Sequence, residues 1–227
     1  VMPLLVPSLK RADFDAAQNI DVFIANSEEV KRRIQKFYKK NATVIHPPVA
    51  TKRFTPSRNR SDFYVVTGQQ IPYKRIDLAV AACTKLHIPL KVFGNGSEHE
   101  ALVKMAGPNI EFFTDRKTTA SDKSLTNALN NARGFIFPSE EDFGIVAVEA
   151  LAAGAPVVAY KKGGSLDIVD SESGEFFDYQ SVDSVANAIT RLSSRSIPPS
   201  IPQRKAKRFE QSLFISKIRK VVSDIIR

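Results

Sequence analysis

Two carboxylates eight positions apart, Glu141 and Glu149, stand in the most informative stretch of the chain, FIFPSEEDFGIVAVEALAAGAPVVAYKKGG over Phe135–Gly164. Glu141 falls in a loop after the apolar run Phe135–Phe137, which Pro138 closes. Glu149 falls two turns into a helical pattern, where Ile145, Val148, Glu149 and Ala152 recur at i, i+3, i+4 and i+7 and share one face. At the helical rise the two acids would lie about 12 Å apart along the axis. Paired carboxylates of a glycoside hydrolase stand closer, at about 5–9.5 Å. The wider spacing suits two acceptors at opposite ends of one elongated ligand. Between them the amides of Phe143, Gly144 and Ile145 open the helix, and a helix N-terminus attracts anions. Hydroxyls at both ends with phosphates between them describe a nucleotide diphosphate sugar. The bland alternatives are a solvated first-turn acid for Glu141 and an ion pair with a nearby Lys or Arg for Glu149. A carboxylate on an apolar face needs a partner of some kind.

Such side chains need a scaffold that presents its loops at one end. Phe135–Phe137 reads as a buried strand, Gly154 and Pro156 end the helix, and Val157–Tyr160 reads as the next strand. Strand–loop–helix–strand is the unit of a parallel sheet, whose ligands bind beyond the carboxyl ends of the strands. From Asp62 the alternation is regular. Strands are expected near 63–67, 90–93, 110–113, 134–137, 157–160 and 175–178, and helices near 74–86, 97–106, 122–132, 144–153 and 182–193. The expected fold class is α/β, a Rossmann-like parallel sheet with helices on both faces, over residues 62–193.

Before this unit, residues 51–61 read as a linker. Residues 1–50 read as the closing βα segment of another domain. They hold a helical pattern over 1–20, a strand at Val22–Ala25 and a helix capped by Ser27, with Val30, Ile34, Phe37 and Tyr38 as its buried stripe; a strand follows at Thr43–Ile45. After the unit, residues 194–227 read as a Ser/Pro linker reaching Pro202 and one helix over Arg204–Arg227. Val1-Met2 stands in mid-pattern, so the chain reads as an excerpt of a longer one.

Further candidates are cations and glycines. Lys74 and Arg75 are expected at a helix start, where the dipole disfavours them unless an anion shares the spot. Gly94-Asn95-Gly96 follows a strand and precedes a helix for which Ser97 and Glu100 would form a capping box. We expect Gly94 and Gly96 to let backbone approach a nucleotide base or ribose, with a bare tight turn as the alternative. Gly163 and Gly164 could seat backbone against a diphosphate, and ordinary turn chemistry explains them nearly as well. No metal site is expected: His46, His87 and His99 lack ligand spacing. Asp13-Phe14-Asp15 is formally D-x-D but follows no apolar strand. The excess of 33 Lys+Arg over 24 Asp+Glu, +9 among 227 residues, suits an anionic partner such as a phosphorylated donor or an acidic lipid surface. The single cysteine, Cys83, allows no internal disulfide and fits a reducing compartment. No apolar run approaches the about 18 residues of a membrane span.

Glu141-x7-Glu149 within PSEEDFGIVAVEALAAGAPVVAY, followed by Gly163-Gly164, resembles the donor-site signature of retaining glycosyltransferases of family four, which have the GT-B fold. The resemblance continues through IANSEEVKRRIQKFY, VIHPPV, IPYKRIDLAV, KVFGNGSE and NIEFF, nearest the mannosyltransferase-like branch. It implies metal-independent hexosyl transfer, mannosyl in the nearest branch, with retained configuration and no separate cofactor. The donor would be a nucleotide diphosphate sugar such as GDP-mannose, and the acceptor a glycan or a lipid-linked molecule. Lys74 matches the phosphate-contacting lysine and, with Glu141, would be catalytic. Glu149 would take the ribose hydroxyls, while Glu141 and the Phe143–Ile145 backbone would hold sugar and phosphate. The C-terminal helix would pack back across the N-terminal domain, which would carry the acceptor, so this chain alone is expected to bind donor and transfer little. A cytoplasmic setting, peripheral at the inner face of the membrane, is also implied.

Three departures from the family pattern stand out: Gln69 replaces an arginine five residues before Lys74, Thr114 and a longer polar stretch follow NIEFF, and Asp167 replaces a common Glu. They favour a rival reading, a sugar-nucleotide-binding subunit without turnover. A basic nucleic-acid-binding module has only the net charge behind it and lacks a recognisable motif, so no specific nucleic-acid partner is expected.

Overall fold

In the computed structural model, which describes the backbone of residues 2–114 and 120–226, apolar strands set the centre. Nearly every residue of β3 (Tyr64–Thr67), β6 (Gly134–Phe137) and β7 (Val157–Tyr160) is buried, as in strands covered on both faces. Alternation then sorts the side chains. Val65, Phe135, Phe137, Val157 and Ala159 pack with α5 (Ala120–Asn131), α6 (Ile145–Ala152), α7 (Ser165–Ile168) and α9 (Ser200–Ala206). Tyr64, Val66, Ile136, Val158 and Tyr160 pack with α3 (Ile76–Leu86) and α8 (Val182–Ser193) on the other face. With β4 (Leu90–Phe93), β5 (Ile110–Phe113) and β8 (Gly174–Phe177) the sheet has six parallel strands in the order β5-β4-β3-β6-β7-β8. The chain winds outward one way from β3 and the other way from β6. These neighbours therefore form the switch point of a doubly wound sheet, where a crevice opens beyond the strand ends.

The N-terminal segment contributes α1 (Met2–Gln18), β1 (Phe23–Ala25), α2 (Glu28–Tyr38) and β2 (Ala42–Val44), with β1 and β2 in a separate two-stranded parallel sheet. Ser27 caps α2 as expected: its Oγ accepts from the Val30 amide at 3.1 Å. The expected buried stripe of α2 is narrower than its spacing suggested. Ile34 is buried, but Phe37 is 58% exposed, because α1 covers only part of that face.

Several local expectations change. The helix near 74–86 begins at Ile76. Lys74 ends a 3-10 turn, Pro72–Lys74, and Arg75 takes a left-handed φ of 52° between the two. α4 (His99–Met105) starts after Glu98 without a side-chain cap, so the Ser97–Glu100 capping box does not form. The expected Ser/Pro linker ends in α9, whose Pro202 and Ala206 are buried. The terminal segment is not one helix either. It runs from α9 through a 3-10 turn, Lys207–Phe209, breaks at extended Glu210, and resumes as α10 (Gln211–Ile226). The break lets the Val49 amide donate to Phe209 O at 2.9 Å. The polar stretch after Thr114 falls at residues 115–119, outside the described residues, and the helix expected near 122–132 is α5, Ala120–Asn131.

The expected linker 51–61 also holds structure. The Arg60 guanidinium donates to Ala132 O and, at 2.8 Å, to Ala153 O, carbonyls left over at the C-terminal ends of α5 and α6. Burial pulls its pKa down to about 10, which leaves it charged at neutral pH. Arg60→Met is expected to cost about 1.5–3 kcal/mol, the range for hydrogen bonds made by a charged group. Urea unfolding of both proteins checks this, and an unmoved midpoint would contradict it. Cys83 lies fully buried in α3, and burial pushes its thiol up to about 12. That makes it a packing residue.

Candidate functional site

The switch point brings together two loops far apart in sequence. Beyond β3 the chain turns through Gly68 and Gln69 to Lys74; beyond β6 it turns through Ser139 and Glu141 to α6. Lys74 Nζ lies 2.7 Å from Glu141 Oε1, with both side chains about one-fifth exposed, at 19% and 22%. Ser139 Oγ donates to the same oxygen at 2.7 Å. Glu141 is therefore held, not simply solvated, and Lys74 stands beside the loop that opens α6. Among the described residues the amides of Phe143, Gly144 and Ile145 donate to no chain acceptor. A cation paired to this loop and amides without a chain acceptor at the head of α6 are groups that can meet a phosphate.

The glycines explain how the loops come so close. A Cβ on Gly164 would lie 2.3 Å from Phe143 Cα and 2.4 Å from Phe143 O, and one on Gly163 would lie 2.4 Å from Glu141 O. The Gly164 amide donates to Glu141 O at 2.8 Å. The strap after β7 thus lies flat against the Glu141–Gly144 loop. Gly144 (φ 113°) rests on the Phe137 ring in turn. The close approach of Gly94 and Gly96 is also to the chain itself. Their Cβ positions would lie 2.1 Å from Gly68 O and 2.3 Å from Gln70 O, so the turns after β3 and β4 interlock.

Gln70, absent from the sequence-derived candidates, fastens that interlock. It is fully buried; its Nε2 donates to Gly94 O at 2.7 Å and its Oε1 accepts from His99 Nδ1 at 2.8 Å. A polar residue beside a glycine turn carries no periodic signal, and only the fold shows its partners. Gln69 is exposed. Arg75 is committed to Asp77, with Nε to Oδ1 and Nη2 to Oδ2 both at 3.1 Å. Phe143 contributes backbone to the site, because its ring is buried. It stacks on His46 at 5.5 Å and meets Phe209 edge-on at 5.4 Å. Asp167 is likewise committed. Its Oδ2 accepts from the Glu28 amide at 2.8 Å, at the start of α2.

Glu149 pairs with Arg53 at 2.7 Å, its side chain 15% exposed. This is the ion pair that its apolar surroundings required. The pair fixes the acid in place. Asp13, the first acid of the D-x-D triplet, accepts from Tyr38 OH at 2.8 Å.

The doubly wound sheet has the fold of solved GT-B glycosyltransferases. The solved structure of HepE from Anabaena in complex with UDP and glucose superposes with a TM-score of 0.78 at 18% identity, covering 94% of this chain and 66% of that one. Residues 50–209 match the family described as glycosyl transferases group 1, and the chain belongs to it. An uncharacterized glycosyltransferase of Methanocaldococcus jannaschii is 26% identical over 155 residues, 68% of this chain and 44% of its own length. A GDP-mannose-dependent alpha-(1-6)-phosphatidylinositol monomannoside mannosyltransferase of Mycolicibacterium smegmatis is 27% identical over 223 residues, 85% of this chain and 57% of its own length. The chain thus spans about half the length of these curated relatives. No helix among the described residues is long and apolar enough to cross a membrane.

If Glu149 receives a ribose, Glu149→Gln keeps the shape and loses the charge. Nucleoside diphosphate affinity is expected to fall by about 1.5–3 kcal/mol. Calorimetry on the folded variant checks this, and unchanged affinity would remove Glu149 from the site.

Proposed function

We propose that the chain carries the donor site of a retaining, metal-independent glycosyltransferase of family four, which moves a hexose, mannose foremost, from a nucleotide diphosphate sugar to a glycan or lipid-linked acceptor. The observation that carries this is the Lys74–Glu141 pair beside the α6 amides at the switch point. The family membership and the mannosyltransferase relative support it. Within this reading, residues 62–193 form the donor-binding domain, 1–50 close the acceptor domain, 51–61 link the two, and 194–227 return towards the acceptor domain.

In this reaction the anomeric C–O bond to the diphosphate breaks as the acceptor oxygen bonds to the same carbon. Retention requires entry on the face that the diphosphate leaves, so the acceptor proton passes to the departing phosphate oxygen. Negative charge builds there, and Lys74 with the α6 amides stabilises it in the manner of preorganised donors. Glu141 steers Lys74 and takes a sugar hydroxyl, while Glu149 takes the ribose. Incubating a protein that holds both domains of the GT-B fold with GDP-mannose and glycan or lipid-linked acceptors, and reading the anomeric configuration of the product by NMR, tests the proposal. An inverted product would overturn the retaining assignment. Donor binding is also expected to persist in chelator and to weaken as salt rises. Binding that appears only with added Mg²⁺ or Mn²⁺ would overturn the metal-independent reading.

A further inference from the structure

The loop that opens α6 is tied to the N-terminal segment from behind. Ile45 continues the ladder of the small sheet, its amide donating to Ala25 O at 2.9 Å. His46 follows, and Pro47 after it confines its backbone to extended conformations. The imidazole is then fixed by three neighbours. Its Nδ1 lies 3.1 Å from Asn26 O, and since a carbonyl only accepts, Nδ1 is the donor. The ring stacks on Phe143, with centroids 5.5 Å apart and planes 19° from parallel, and meets Phe209 edge-on at 5.3 Å. Phe143 meets Phe209 at 5.4 Å in turn. One aromatic cluster thus joins the N-terminal segment, the site loop and the C-terminal segment.

The contacts that cross from the N-terminal segment to this loop and its strap differ in weight. Arg33 and Asp142 form an ion pair whose side chains are 54% and 59% exposed, and such pairs contribute little. The Glu28 amide meets Asp167, which stands on the strap and not on the loop itself. The rings of Phe143 and Phe209 are buried, so the stack on His46 belongs to a packed cluster and holds the loop more firmly than either. It also acts at the residue that matters. Phe143 carries the first of the three amides at the head of α6, and Gly164 lies against its Cα and O. With its backbone against the strap and its ring against His46, Phe143 gives the loop one position.

Resting on the donor-site reading above, we propose that His46 is a positioning residue of the donor site. Its ring holds the loop through Phe143, so that the Phe143, Gly144 and Ile145 amides keep the places at which they meet a diphosphate. The donor site then draws on a residue of the N-terminal segment that touches no substrate itself. Without the ring the loop samples other positions, and a nucleotide that binds must restore the one it needs. The affinity lost is at most what the stack supplied, about three- to tenfold for an aromatic pair.

Two ringless variants, His46→Leu and His46→Gln, and one that keeps a ring, His46→Phe, test this; thermal unfolding confirms that each is folded. GDP, UDP and inorganic pyrophosphate are titrated by calorimetry. Amide hydrogen exchange of the free protein reports the loop through Gly164, whose amide donates to Glu141 O at 2.8 Å. The ringless variants are expected to bind nucleotide and pyrophosphate about three- to tenfold more weakly. Their Gly164 amide should exchange faster by a similar factor, while amides of β6 keep their rates. His46→Phe should stay within about twofold of the native protein in both readouts. A packing role alone would lower the unfolding midpoint and quicken exchange throughout the sheet, with affinity unchanged. The proposal is overturned by folded ringless variants of native affinity, by weaker binding with an unchanged Gly164 rate, or by a His46→Phe protein as impaired as His46→Leu. A native protein that takes up no nucleotide refutes the donor site. Faster Gly164 exchange confined to the ringless variants would then leave His46 as the residue that positions the loop, and an unchanged rate would refute both.

Discussion

Lys74→Met is expected to weaken nucleoside diphosphate binding by about 1.5–3 kcal/mol, roughly 10–150-fold, the range for hydrogen bonds to charged groups. The loss in transfer should be larger, about 10²–10³-fold, because charge develops on the departing phosphate only as the bond breaks. Methionine fills similar space beside Tyr73, whose ring lies 5.1 Å from Lys74 Nζ, so the fold should survive. The variant also leaves Glu141 without its cation in a half-buried setting. Glu141→Gln in the same background should therefore recover some stability but no transfer. Titration of this chain checks the affinity, and initial rates with both domains of the GT-B fold present check the transfer. A Lys74→Met protein with unchanged affinity and rate would show that phosphate does not meet this lysine.

The second large effect is expected at Gly164, although its φ of −66° is open to any residue. The constraint is space. An alanine methyl would sit 2.3 Å from Phe143 Cα and 2.7 Å from Asp142 O. These are backbone atoms of the loop that carries Glu141 and the site's amides, so no side chain can swing aside. Overpacking of this kind costs about 1–3 kcal/mol, and relieving it must push the loop off its position. Gly164→Ala is thus expected to lower the urea midpoint and to weaken nucleotide binding at least about tenfold, since misplaced donors lose most of their value. An alanine variant with native stability and native affinity would mean that the strap after β7 does not position the loop.

Strands and spacing made much of this legible before any coordinates. Phe135–Phe137 and Val157–Tyr160 are apolar without interruption, which only a strand covered on both faces tolerates; the sheet followed from their alternation with helices. At Glu149 the sequence showed that a carboxylate on an apolar face demands a partner, and the partner is Arg53, the ion pair set out as the bland alternative. Lys74 stood out because a cation before a helix is misplaced unless something negative is near, and Glu141 is near.

What escaped the sequence depends on contacts between distant segments. Gln70 and His99 lie 29 positions apart and mean nothing until the turns after β3 and β4 are interlocked. Arg60 sits in a polar stretch that composition reads as linker, yet it closes two helix ends more than 70 residues away. Gly94 and Gly96 signal close approach, but not to what, and the backbone of residues 68–70 is one segment that comes close to them. Phe37 fits a helical stripe by spacing, and its exposure depends on how little of that face α1 covers. Periodicity reports which side of an element is apolar, and not what lies against it.

The central claim is that the crevice at the ends of β3 and β6 binds the diphosphate of a sugar nucleotide. Calorimetric titration of the 227-residue protein with GDP, UDP and their sugars, in the presence of chelator, tests it most directly. We predict saturable one-to-one binding for at least one nucleotide pair, with an affinity between about 1 μM and 1 mM, the usual range for enzyme substrates; that binding should weaken in Lys74→Met. A folded protein that takes up none of these nucleotides, or one whose binding Lys74→Met leaves unchanged, would contradict it.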